Sequence, residues 1–588
     1  IHSDNFQALN LLKRRYEGKI DCLYADPPYN AKSSEIIYKN TFKHSNWLSF
    51  IADRIFAASL LKTKNGALIT AIDENEQANL MKLLQLYYPN YVNDCITIVH
   101  NPAGIQGDNF SYSHEYAIFT FEKKSGIIGK TKRESESEES FRDWGGTSAR
   151  SLAKNCFYPI LVKGDEIIGF GDVCDDDYHP KKSNVIENGV TYVYPIADDG
   201  EERKWVFARD SVEAILHELN VKIINGIVTI KRIKTMTSYK TVWSDTKYYA
   251  NIYGSKLLNN ILGGKKFDFP KSVFTVKDCL YAVEAFRHEN SVTLDYFSGS
   301  GTTAHAVIEC NRVDGGKRKV ILIEMGGHFD NVTKPRTQKI IYAKDWKNGK
   351  PKVRTQGVSY CFKYVRLESY EDTLNNLQLD RNDEQKSLFD FDGDKSDNDF
   401  KEQYILNYML ELESAGSQSL LNISDFMTPT EYKMNIKRSG SVESNVMNVD
   451  LIETFNWLIG ITVKHLSKPQ FITAEFKRDD EGRLCVNGEL RLDRGGEWWF
   501  RTITGTLPDG RHVIIIWRNR PGGEDAEGVE RDNLMLNEWF SKQKYDDAEG
   551  AFNLVYVNCS NNLEVLKKQD DNWSVRMIED DFFNLMFE

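Results

Sequence analysis

Short apolar runs alternate with amphipathic stretches over the first 124 residues. Residues 1–3 read as a strand ending at Asp4, and Phe6, Leu9 and Leu12 recur behind it at helical spacing. IDCLYA (20–25) has the look of a buried strand. Residues 45–62 predict a helix, with Ser45 as its N-cap and Trp47, Leu48, Ile51, Ile55 and Ala58 on one face. GALITAID (66–73) predicts the next strand, followed by a helix through Met81 and Leu84 and by the strands CITIVHNP and HEYAIFTFEKK. This alternation implies a parallel α/β sheet covered on both faces. The pattern breaks after Lys124, where charge runs and short mixed strands take over. Strand–helix order resumes with residues 271–288, VTLDYF (292–297), GTTAHAVIECN (301–311) and KVILIEM (319–325). One α/β domain made of residues 1–124 and 261–370 is therefore split by an insertion at 125–260. An acidic linker is expected at 371–402 and a separate α+β domain at 403–588.

Composition narrows the picture. A chain of 588 residues with 41% apolar and 27% charged residues is globular. It contains no apolar run long enough to span a bilayer, and no signal peptide opens it. Because it begins without Met, an N-terminal segment is expected to be missing. The nine cysteines are scattered without metal spacing, which suits reduced core thiols in a cytoplasmic protein, and no metal site is expected. A net charge of −11 argues against indiscriminate coating of nucleic acid, though not against a local basic face. Acids cluster at 133–140, at 172–179 and in 380–402, where nine face four bases. Basic residues gather at 222–240.

Two motifs carry chemistry. Asp26-Pro27-Pro28-Tyr29 follows the strand IDCLYA, at the carboxyl end where open α/β sheets form crevices. Two prolines stiffen the loop and leave carbonyls free, so a carboxylate and a proline carbonyl can take both hydrogens of an exocyclic amine. Tyr29 offers a flat face to a base swung out of its helix. Phe297-Ser298-Gly299-Ser300-Gly301-Thr302-Thr303 joins a strand to a helix, a geometry that holds an anion. The next strand ends at Glu324, where a ribose-binding acid belongs. The loop is no P-loop and lacks the third glycine of the dinucleotide fingerprint. An adenosyl ligand with a carboxylate tail, S-adenosylmethionine, fits better.

Together the motifs resemble the DNA amino-methyltransferases of the beta order, with the catalytic motif first, then a target-recognition insertion, then the cofactor motif. IHSDNFQALNLL, His114-Glu115-Tyr116 and FDFPKSVF (267–274) are similar to further segments of that family, with Ser272 where a second proline is more common. TVWSDTKYYANIYGSKLL (241–258) and the terminal domain are similar to the modification subunit of type III restriction-modification systems. The resemblance implies an α/β fold, a doubly wound mixed sheet with an inserted α+β target-recognition domain and a C-terminal α+β domain. It implies methyl transfer from S-adenosylmethionine to the N6 of a flipped adenine. Asp26 and Pro27 would grip the amine, Pro28 would stiffen the loop and Tyr29 would stack. Asp4, Asp295, Phe297, Gly299, Gly301, Thr302 and Glu324 would bind the cofactor. Double-stranded DNA, a second copy of the chain and a restriction helicase-nuclease subunit are the implied partners. Lys231, Arg232 and Lys234 are expected to contact DNA. Two alternatives stay open: a recognition subunit with secondary or lost methylation, and a cytosine-N4 methyltransferase.

Overall fold

The computed structural model describes every residue except 31–43, 107–108, 125, 377–420, 422, 438–442, 524, 544–551, 570–571 and 587–588. Most of the 371–402 linker thus lies outside the described residues. The described chain forms two compact units, one of residues 1–127 and 241–588, the other Ile128–Lys240.

The first unit is built on strands β1 (Ile20–Ala25), β2 (Lys62–Ile72), β3 (Tyr91–Val99), β4 (His114–Glu122), β5 (Val242–Trp243), β6 (Val292–Asp295) and β7 (Lys319–Leu322). Their order in the sheet is β5-β3-β4-β2-β1-β6-β7. Strands β2, β1, β6 and β7 run parallel, and β4 runs antiparallel to both neighbours, so the sheet is mixed. Residues 241–260, assigned to the insertion from sequence, belong here, since β5 pairs with β3 through Val242 and Thr97.

Helices α1 (Asn5–Tyr16), α2 (His44–Ser59), α3 (Gln77–Tyr87), α4 (Val273–Ala282), α5 (Thr302–Asp314) and α6 (Lys334–Tyr342) accompany the sheet. Two local expectations need correction. Phe6 is exposed, and α1 buries Ala8, Leu9 and Leu12 instead, because the i, i+1, i+4 positions form the inward stripe. Ser45 is no N-cap: α2 already begins at His44, and the Ser45 carbonyl accepts the Ser49 hydroxyl one turn on. Ser272, by contrast, caps α4 by accepting the Phe274 N–H, and its own hydroxyl donates to the Lys247 carbonyl. A serine can do both jobs where proline could do neither.

Within the same unit, the C-terminal part carries a second seven-stranded sheet. Strands Trp498–Thr506 and His512–Arg518 are buried on both faces, and their side chains alternate between two cores. Trp499, Ile503, Val513, Ile515 and Trp517 meet Phe455 and Phe582 on one side, while Phe500, Ile514 and Ile516 meet Leu536 and Trp539 on the other. Trp457 packs into the core of the first sheet, with the Arg15 guanidinium 5.1 Å from its ring centre.

The second unit, expected as α+β, is made of antiparallel strands and short 3₁₀ turns, with no α-helix among its described residues. Phe141, Tyr158, Ile160, Trp205, Leu219 and Ile230 share its core.

Candidate active site

Register brings the two motifs together. Strands β1 and β6 are parallel neighbours with Tyr24 opposite Asp295, so Asp26 and Phe297 leave the same carboxyl edge side by side. This is where an open α/β sheet binds its ligands.

The loop after β1 is braced from two directions. The Trp47 indole N–H donates to the Pro28 carbonyl at 2.8 Å. Asn30, in the left-handed region at φ 59°, donates its amide to Glu76 at 2.7 Å. Glu76 is fully buried and also bonds His44 and Asn79, so the residue closing the loop is tied to α2 and α3. Among the described residues no group donates to the Pro27 carbonyl, which remains available as an acceptor.

Asp26 has a partner the sequence reading did not supply. Lys271 Nζ stands 3.3 Å from Asp26 Oδ1, and the same ammonium contacts Glu115 and the Tyr29 hydroxyl. It also lies 4.5 Å from the centre of the Tyr29 ring. The Asp26 side chain still exposes 26% of its surface, so the ion pair does not seal it. Burial pushes the Asp26 carboxyl up; Lys271 opposes that shift and Glu115 adds to it. For Glu115 burial also pushes upward, but Lys271 and His100 outweigh it and hold the acid below its ordinary value.

The second loop is shaped by left-handed glycines. Gly299 and Gly301 have φ of 47° and 77°, and a Cβ on Gly301 would come within 3.1 Å of the Thr333 methyl. Side chains there would fill a cradle that only backbone can line. Glu324 accepts the Gly299 and Gly326 N–H groups, each at 2.8 Å. Burial raises this carboxyl, but His328 and those two amides prevail and keep it below the usual range. Asp295 accepts the Phe297 N–H at 3.1 Å and the Thr303 hydroxyl at 2.5 Å, and burial pushes it up to about 7. Phe297 packs in the core beside Phe50. The Ser298 hydroxyl is buried in this loop with no partner among the described residues.

Asp4 caps α1 through the Phe6 N–H and pairs with Arg54 at 3.4 Å. It borders the same crevice, because His2 bridges to Glu324 and the Asn5 amide donates to the Tyr296 carbonyl at 2.9 Å.

The DNA-contact candidates lie in the second unit, on the strand Ile227–Ser238. Arg232 pairs with Glu218 at 2.6 Å and lies over the Phe207 ring, while Lys234 pairs with Glu139. Among the described residues Lys231 carries no ion pair, and it sits opposite Ser140 and Asn220. Lys222, Arg232 and Lys234 of the basic tract are thus paired with the nearby acids Glu138, Glu218 and Glu139.

Lys271, Glu115 and Arg336 escaped the sequence reading as functional charges. The signal was present for Glu115, an acid directly before the apolar run YAIFTF that, once buried, had to find a cation.

The DNA methylase family matches residues 20–334. Over 353 residues the chain is 28% identical to the type II methyltransferase M.KpnI of Klebsiella pneumoniae, covering 55% of this chain and 79% of that protein. It is 24% identical to the EcoPI Mod subunit of a type III restriction-modification enzyme from Escherichia phage P1, covering 55% and 57%. A probable type III HindVI Mod subunit of Haemophilus influenzae is 23% identical, covering 70% and 59%. The chain therefore spans little more than half the length of these type III relatives. Among solved structures, the M1.HpyAVI–SAM complex aligns at 14% identity with a TM-score of 0.27, covering 57% of this chain and 97% of that one. The cytosine-N4-specific PvuII DNA methyltransferase aligns at 10% identity with a TM-score of 0.29, covering 56% and 83%.

Proposed function

The chain belongs to the DNA methylase family, which matches more than half of its 588 residues, and from that premise we propose that it is a site-specific DNA adenine-N6 methyltransferase using S-adenosylmethionine. The observation that carries this reading is the pairing of Tyr24 with Asp295, which sets an amine-gripping loop beside a nucleoside-binding loop.

The crevice suits the cofactor on its own features. The backbone cradle at Gly299 and Gly301, the unpartnered Ser298 hydroxyl and the buried Glu324 carboxylate match a ligand with polar groups and an anionic end. Residues 299–302 and Phe297 would hold it, Asp295 would keep the loop in shape and Glu324 would meet the ribose. Asp4 would approach the adenine. When bound, S-adenosylmethionine supplies an electrophilic methyl group.

The protein's share of the reaction is positioning and electrostatics. Asp26 and the Pro27 carbonyl accept the two hydrogens of the adenine amine, which turns its lone pair toward the cofactor loop. Lys271 favours the ionised form of Asp26, which accepts at both oxygens. Pro28, tied down by Trp47, prevents the loop from yielding as the base arrives. Tyr29 stacks on the base with the ring face that Lys271 leaves open.

The second unit takes the part of target recognition, with Lys231 on a phosphate. Arg232 and Lys234 support it by fixing the strands around it. The names of the type III relatives, modification subunits of restriction-modification enzymes, support a restriction subunit as a partner; duplex DNA as substrate and a second copy of the chain complete the proposed setting. Among the described residues no helix is long and apolar enough to cross a membrane.

The test is incubation with isotope-labelled S-adenosylmethionine and mixed-sequence DNA, then nucleoside mass spectrometry. N6-methyladenine is the expected product. N4-methylcytosine, or sequence-specific binding with no methyl incorporation, would replace this reading with one of its alternatives.

A further inference from the structure

Directly beneath the cofactor loop lies a cation with no counter-ion among the described residues. Arg336, on α6, has no solvent exposure at all. Its Nη1 donates to the Ser300 hydroxyl at 2.8 Å, the Thr302 hydroxyl at 2.9 Å and the Ser300 carbonyl at 3.3 Å. Nη2 faces His305 Nδ1 at 3.3 Å, and Nε has no partner among the described residues. Among the described residues every hydrogen-bond partner of the guanidinium is neutral. Burial alone pushes it down to about 9, with no acid among the described residues opposing the shift. His305 cannot compensate, because burial first and Arg336 second drive it far below its ordinary value, leaving a neutral ring.

Buried guanidinium groups are ordinarily paired, since an isolated charge in the interior is costly. The two acids bonded to the cofactor loop are already committed: Asp295 to Thr303 and the Phe297 amide, Glu324 to the Gly299 and Gly326 amides. Arg336 also sits at the amino end of α5, where the helix dipole is positive as well. Two positive sources stacked under one loop, with no anion paired to the guanidinium among the described residues, describe a half-built ion pair.

We infer that Arg336 is the fixed counter-charge for the α-carboxylate of the methyl donor, acting through Ser300 and Thr302 as a positioning residue. The inference rests on the S-adenosylmethionine reading and deepens it. It assigns the choice between an amino-acid-tailed nucleoside and an uncharged one to a side chain that need not touch the ligand. A guanidinium forked across Ser300 and Thr302 also fixes the loop between them, so that the loop's free N–H groups and the buried charge act on the same ligand atom.

The experiment compares two ligands that share the adenosyl thioether and differ in the amino-acid tail, S-adenosylhomocysteine and 5′-methylthioadenosine. Affinities of the full chain are measured by calorimetry. Arg336→Gln is expected to weaken S-adenosylhomocysteine by about tenfold or more and to leave 5′-methylthioadenosine unchanged. Arg336→Lys, which keeps the charge, should restore most of the difference. Should Arg336→Gln fail to fold, Ser300→Ala keeps the cation but removes one of its contacts, and should cause a smaller loss for S-adenosylhomocysteine alone. Equal losses for both ligands would reduce Arg336 to a structural brace and overturn the inference. A wild-type chain that binds neither ligand would overturn the methyl-donor reading itself.

Discussion

Lys271 Nζ stands 3.3 Å from Asp26 Oδ1 while it also pairs with Glu115, so one ammonium holds an acid from the end of β1 and another from β4. Burial lowers the lysine, but Asp26 and Glu115 outweigh burial and keep it charged far above neutrality. Lys271→Met leaves two buried carboxylates near each other without a cation, and one of them must take a proton. Methyl transfer at neutral pH should fall by roughly 10²-fold. The acid limb of kcat/KM against pH should also move upward, because the Lys271 effect that opposes Asp26's upward shift is gone. Lys271→Arg keeps the charge and should leave that limb close to its original position. A pH profile of unchanged shape in Lys271→Met would show that the lysine does not set the state of Asp26.

Asp26→Ala should separate chemistry from cofactor affinity. The alanine leaves Lys271 paired with Glu115 and leaves Asp295, Gly299 and Glu324 with all their bonds. Methyl transfer should fall by roughly 10³-fold or more, since an acceptor aimed at the reacting nitrogen is lost. Affinity for S-adenosylhomocysteine, measured by calorimetry, should stay within about twofold of the wild-type value, as expected for a residue that shares no hydrogen-bond partner with the cofactor loop. Parallel loss of both would place Asp26 in the architecture of the cofactor loop.

The motif loops could be placed from sequence because each is a local pattern. An apolar strand followed by Asp26-Pro27-Pro28, and another followed by Gly299 and Gly301, state their own geometry. Their adjacency follows from the Tyr24–Asp295 register, a long-range pairing that short-range periodicity does not encode. The charges escaped for the same reason. Lys271, Glu115 and Asp26 lie far apart in the chain, and only the closed sheet brings them together. Arg336 sits among Lys334, Pro335 and Lys339 in a segment that reads as a solvated helix, yet its own position faces inward beside Ile340. The basic tract of the second unit misled in the opposite sense. Its cations look free in sequence because Glu138, Glu139 and Glu218, which neutralise them, are on other strands or outside the strand.

Asp295 gives the site a pH-dependent stability term of definite sign. Burial raises its folded value from 3.8 to about 7. A raised carboxyl favours the protonated form in the fold, so its contribution is fully present below about 3.8 and is lost as pH rises through 7. Asp295→Asn cannot ionise and should escape that loss. In urea unfolding, the stability of the wild type relative to Asp295→Asn should decline between pH 4 and 7 and level off above, by at most about 4 kcal/mol. A flat difference across that range would mean that Asp295 is ionised in the fold throughout.

Lys231 is the member of the basic tract to which a phosphate contact can be assigned, because Arg232 and Lys234 already neutralise Glu218 and Glu139. A phosphate contact is read in the salt dependence of binding, since each neutralised phosphate releases counter-ions. Lys231→Ala should lower DNA affinity about equally on all sequences and reduce the slope of log affinity against log salt by about 1. Arg232→Ala should act differently. It strands Glu218 and uncovers the Phe207 ring, so its first effect should be a lower unfolding temperature of the unit rather than a smaller salt slope. If Lys231→Ala leaves the slope unchanged while Arg232→Ala reduces it, the DNA-facing side of this sheet is the one that carries the guanidinium.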